Sequence, residues 1–145
     1  STDIIKEQIR VAAGEKLSWK QNQIHWNNHA IECRINAEDP KQNFMPFAGT
    51  VHNVVFPSGP GIRIDSGIYP GAQISPYYDS MVAKVIAYDN TRKQAIARMI
   101  RALEEFSING IKTNKDFLIE ILSSDAFLKG DYSINIIENE LLKKS

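Results

Sequence analysis

A single cysteine, Cys33, rules out an internal disulfide in this chain of 145 residues and points to a reducing compartment. No apolar run approaches the length of a membrane span. At the front, Ile4-Ile5 meets Lys6-Glu7 at once, unlike the apolar stretch of a secretory signal. Charge of one sign is also missing: 17 basic residues balance 17 acidic ones, and no like-charged block exceeds a pair. That balance argues against nucleic-acid or membrane-surface binding, which needs a basic face. The three histidines, His25, His29 and His52, show neither HExxH spacing nor neighbouring cysteines, so no metal site is read. A serine nucleophile elbow is absent. Ser58-Gly-Pro-Gly61 lacks the Lys and Ser/Thr of a phosphate loop and reads as a tight turn. These absences leave a soluble, cytoplasmic chain with no complete catalytic constellation of its own. Its length suits one domain with a real core.

The pattern of what is present runs from strands to helices. Residues 3–13 read as a helix capped by Thr2, with Ile5, Ile9 and Ala12 on one face and Gly14 as its stop. Residues 15–28 are polar and irregular, with Trp19 and Trp26 as anchors. In residues 29–36, Ile31, Cys33 and Ile35 alternate with Glu32, Arg34 and Asn36, the signature of a half-buried strand. Residues 50–56 and 61–66 form two more strands. Met81 to Tyr88 is nearly all apolar, as in a strand covered on both faces. Asp89-Asn90-Thr91 caps a helix from Arg92 to about Phe106, with Ala95, Met99, Leu103 and Phe106 on its stripe. Residues 108–111 are extended. Thr113 caps a further helix, with Asp116 in a capping box. Residues 125–128 make a turn, and Ile134 to Leu142 a last helix. Neighbouring strands joined by loops give an α+β class: a mainly antiparallel sheet with helices packed on it.

One stretch carries chemistry. Between two turn-forming clusters, Ile62 and Ile64 alternate with Arg63 and Asp65, so a strand sends the isoleucines one way and the charges the other. A guanidinium on a rigid strand suits a small anion. The same four residues also fit a plain Arg63–Asp65 ion pair on a solvated face. Further on, Tyr77-Tyr78 reads as a packing and hydrogen-bonding anchor, one ring inward and one outward. Cys33, on the apolar side of its strand, reads as a small buried hydrophobe.

Five ordered motifs make the chain resemble the C-terminal domain of biotin carboxylases. They are His29-Ala-Ile-Glu-Cys-Arg-Ile-Asn-Ala-Glu-Asp-Pro40; Gly61-Ile-Arg-Ile-Asp-Ser66 with Tyr69 and Gly71; Pro76-Tyr-Tyr-Asp-Ser-Met81 with Lys84; the helix carrying Arg92, Ala95-Ile96-Ala97, Met99 and Arg101-Ala-Leu103; and Gly110-Ile-Lys-Thr-Asn114. On that resemblance, residues 29–145 are the domain, and residues 1–28 are the helix and irregular segment leaving a preceding ATP-grasp domain. A start at Ser1-Thr2-Asp3, with no methionine, fits a cut from the middle of a longer chain.

The family is a ligase that makes carboxybiotin from ATP, bicarbonate and biotin. Arg63 matches its arginine that binds bicarbonate and holds the charge developing on the biotin ureido oxygen. Ile134 matches an apolar residue that closes over adenine. The resemblance implies ATP with Mg2+, biotin on a carboxyl carrier protein, carboxyltransferase subunits as partners and a homodimer as the full-length protein. The ATP, metal and catalytic strand residues of the family belong to the preceding domain, so the fragment alone is expected to be inactive. The expected parent is the separate subunit of a bacterial acetyl-CoA carboxylase, serving fatty-acid synthesis. Pyruvate, propionyl-CoA and urea carboxylases carry the same domain, and a non-catalytic binding or dimerisation module is the alternative of another class. Gly67 stands where the family often has histidine, and Phe47-Ala48 where Ser-Pro is common.

Overall fold

A computed structural model describes residues 2–138. Its centre is a three-stranded antiparallel sheet of β1 (His29–Asn36), β8 (Met81–Asp89) and β6 (Ile62–Ser66), in the order β1-β8-β6. Three short antiparallel ribbons surround it: β2 (Glu38–Asp39) with β3 (Met45–Pro46), β4 (Gly49–Thr50) with β7 (Gln73–Ile74), and β5 (Asn53–Val55) with β9 (Ser107–Asn109). The helices are α1 (Ile4–Ala12), α2 (Arg92–Glu105), α3 (Lys115–Ser123) and α4 (Asp125–Lys129). This is the expected α+β layout.

The core lies between one face of the sheet and α2. Alternation sends Cys33 and Ile35 of β1 and Ala83, Val85 and Ala87 of β8 inward, where Met99, Ala102 and Leu103 of α2 meet them. Phe106, fully buried just after α2, closes one end. The whole apolar stripe expected for α2 is thus buried. Thr91 caps the helix, its Oγ1 accepting from the Gln94 amide.

Several expectations are corrected. Asp3, not Thr2, caps α1, because its carboxylate accepts from the Lys6 amide at 3.0 Å. The Ile5/Ile9 face of α1 is exposed, and the helix buries Glu7 instead. Burial penalises that carboxylate, but the Ser18 hydroxyl and amide, together with Arg10, outweigh the penalty and hold its pKa low. Of the two expected anchors, Trp19 is half-buried and Trp26 is exposed. The strand expected over 50–56 breaks in two, since the Val51 amide bonds to Ala72 and the His52 amide to Asn109. β8 is fully covered on one face and partly on the other, where Val82 is buried, Lys84 and Ile86 are half-buried and Tyr88 is exposed. Asn114 holds the N-cap position of α3 without a side-chain cap bond, while the Thr113 hydroxyl accepts from the Lys115 amide at 3.4 Å; residues 125–129 form a helix rather than a turn. The last helix, with Leu141 and Leu142, lies mostly outside the described residues.

Candidate functional site

The open face of the sheet carries the candidate site. Ile62 and Ile64 pack toward the core, so the intervening Arg63 and Asp65 project to the other side. There the Arg63 Nε donates to Asp65 Oδ1 and its Nη2 to Asp65 Oδ2, both at 2.9 Å. The side chains remain 70% and 42% exposed. The paired carboxylate raises the Arg63 pKa further, keeping the guanidinium charged. In return the hydrogen bonds from Arg63 hold the Asp65 carboxyl below its ordinary range, with Lys84 adding to the effect.

Register builds the rest of the face. Asp65 lies opposite Lys84, and Lys84 opposite Arg34; Arg63 lies opposite Ile86, and Ile86 opposite Glu32. Glu32 and Arg34 pair with each other at 3.3 Å. The surface around Arg63 is therefore a strip of cations and carboxylates around half-buried Ile86.

The strand is fixed at both ends. At its start, Arg98 of α2 donates to the Pro60 carbonyl at 2.6 Å and pairs with Asp89 at 2.6 Å. The Gly61 carbonyl accepts from the Tyr88 amide at 2.9 Å. At its end, the Ser66 hydroxyl donates to the Val82 carbonyl at 2.8 Å. The backbone that carries Arg63 is thus held at both ends, and among the described residues Asp65 alone holds its guanidinium.

The Arg63–Asp65 ion pair on a solvated face is present, and the guanidinium in it stays open to solvent. Ile134 sits in a turn with 96% of its surface exposed, and the structure does not bring it together with Arg63. Tyr77 and Tyr78 are 90% and 83% exposed, so neither ring is the inward anchor expected of the pair. Cys33 is buried as expected.

Sequence reasoning missed Arg98, and it named Lys84 only as a motif residue without its place across from Asp65. Only the alternation of β8 could have placed Lys84 beside Asp65; nothing local signals Arg98. An unrelated groove elsewhere is lined by Asp39, Phe44, Lys112, Lys115 and Phe117, with Lys112 paired to Asp39 at 2.5 Å. Among the described residues no three His, Cys, Asp or Glu side chains are grouped to hold a metal. Among the described residues, the exposed Arg63 guanidinium has donors that suit a planar anion, and no carboxylate cluster suits a magnesium ion.

Comparison with known proteins gives a concordant picture. The family model for the biotin carboxylase C-terminal domain matches residues 32–139. Biotin carboxylase 1 of Bacillus subtilis is 52% identical over 94% of this chain, which spans 30% of that relative's length. A pyruvate carboxylase subunit of Methanothermobacter thermautotrophicus is 45% identical over 94% of the chain, which spans 28% of it. The biotin carboxylase domain dimer of Hydrogenobacter thermophilus 2-oxoglutarate carboxylase, solved with MgADP, ADP and bicarbonate, superposes with a TM-score of 0.89. It is 44% identical, over 94% of this chain and 30% of its own.

Proposed function

We propose that this chain, which belongs to the biotin carboxylase C-terminal domain family, supplies the anion-holding wall of a biotin carboxylase active site. Arg63 carries the reading. Its guanidinium is permanently charged, fixed on a clamped strand and open on the side away from the core. In the reaction it holds bicarbonate, and then the negative charge that develops on the ureido oxygen of biotin. A donor aimed at developing charge lowers the barrier because it needs no reorganisation at the moment of reaction. Ile134, exposed and apolar, is the part of this chain that would close over adenine.

The rest of the machinery lies on chain that these residues do not include. The described residues offer no carboxylate cluster for magnesium, so ATP and its metal are held by a preceding region entered through residues 1–28. The chain spans about a third or less of its curated relatives, and the exposed isoleucines of α1 suit a helix that packs on the remainder. The whole protein carboxylates biotin on a carrier protein as a homodimer in the cytoplasm. Its parent is the separate biotin carboxylase subunit of an acetyl-CoA carboxylase, acting with carboxyltransferase subunits. The family relatives include carboxylases of pyruvate and 2-oxoglutarate, and reconstitution with each carrier and transferase in turn decides between the parents.

The test compares full-length protein with residues 1–145 alone. Full-length protein is expected to show bicarbonate-dependent ATP cleavage that free biotin raises, and the fragment none. Arg63→Ala in the full protein should lower biotin carboxylation more than about tenfold, the order expected for losing one charge-stabilising donor. Unchanged kinetics would remove the role given to Arg63, and activity in the fragment would remove the division of labour.

A further inference from the structure

We propose that Asp65 is the positioning residue of this site: it holds the Arg63 guanidinium by one edge so that the opposite, forked end faces the anion. The inference rests on the reading of Arg63 given above.

A guanidinium has five N–H donors, and an acid can take it either side-on or end-on. Asp65 takes it side-on. Its two oxygens accept from Nε and from one hydrogen of Nη2, each at 2.9 Å. Both Nη1 hydrogens and the second Nη2 hydrogen remain. One from each nitrogen makes the parallel fork that matches the two oxygens of a planar acid such as bicarbonate. Had Asp65 bound end-on, it would occupy that fork and compete with the substrate.

The sheet makes this arrangement stiff. Residues two apart on a strand lie on one face, so Arg63 and Asp65 are neighbours by backbone geometry alone. Lys84 stands opposite Asp65 on β8 and favours its charged form. Arg98 and Ser66 fix the two ends of the same strand. Without Asp65 the long arginine side chain regains its rotamers, and each encounter with substrate must then fix them again.

The experiment uses the full-length carboxylase with Asp65→Asn, Asp65→Ala, Arg63→Ala and the Arg63→Ala/Asp65→Asn pair. Both Asp65 variants should lower kcat/KM for bicarbonate and biotin about tenfold, with KM for ATP and the melting temperature unchanged. In the pair, Asp65→Asn should add nothing to the loss from Arg63→Ala. Multiplying losses in the pair, or a KM for ATP that rises as the melting temperature falls, would overturn the positioning role. So would Asp65 variants with wild-type kinetics beside an impaired Arg63→Ala, and the reading of Arg63 would then survive. An Arg63→Ala enzyme with full activity would instead remove the reading itself, and this inference with it.

Discussion

Gly61 and Arg98 share a space that admits no further atom. A Cβ on Gly61 would fall inside the Arg98 guanidinium and within 2.7 Å of the Tyr88 carbonyl, and the backbone there is left-handed, at φ +76°. The glycine therefore lets α2 reach over the start of β6 and fasten Pro60 to Asp89.

Alanine at this position should cost stability through two routes. Left-handed backbone costs an L-residue about 1–2 kcal/mol, and displacing Arg98 forfeits hydrogen bonds worth about 1 kcal/mol more. Gly110→Ala should be worse. Its Cβ would meet the Thr50 carbonyl and the His52 amide, both backbone, which cannot swing away as an arginine can. Urea melts of both variants should rank Gly110→Ala below Gly61→Ala, and both below the parent. A Gly61→Ala protein as stable as the parent would show that Arg98 does not clamp the strand.

Burial, with a smaller push from Glu32, raises the Cys33 thiol to about 12. The thiolate is the reactive form. In folded protein at pH 8, Cys33 should resist thiol reagents, and it should react fully once urea unfolds the chain. Labelling followed by mass spectrometry reads both states, and fast labelling of the folded protein would contradict the packing of β1 against α2.

Acid should loosen the connection between β2 and the turn before α3. The hydrogen bond from Lys112, aided by the Lys41 amide, lowers the Asp39 pKa despite the cost of burying it. A carboxyl whose folded pKa is depressed adds stability above its unfolded pKa, about 3.9. That contribution is lost as pH falls through the lower folded value. Asp39→Asn should therefore be less stable than the parent at pH 7, and the gap should close below about pH 4. Asp65 and Glu7 are lowered too and share the window, so the parent keeps part of its acid sensitivity in the variant. A gap that persists undiminished at low pH would show that charge is not what Asp39 contributes.

Much of this architecture can be read from local pattern. The stripe of α2 and the alternation of β1 and β6 are short-range facts, and they placed Cys33 inward and Arg63 outward. What escaped depends on partners far along the chain. Asn114 looks like any residue before a helix. Yet its Oδ1 accepts from the Asn36 amide at 2.9 Å and its Nδ2 donates to the Arg34 carbonyl, so its side chain clips β1 and makes no cap bond to α3. Thr50 to Phe56 has the composition of one strand, but its amides answer to two different partners. Arg98 and Pro60 are 38 residues apart, and no local periodicity links them. Tyr77 and Tyr78 depart from alternation for another reason: they stand in a loop, where no pleat forces one ring inward.

The central position of β8 has a consequence for synthesis. Its neighbours on both sides precede it, and β1 waits roughly fifty residues for its partner. While the chain leaves the ribosome, Ile31, Cys33 and Ile35 have nothing to pair with until Asp89 has emerged, and no roof until α2 follows. The domain should therefore condense late and in one step, and a nascent chain arrested before Asp89 should be as open to protease as an unfolded one.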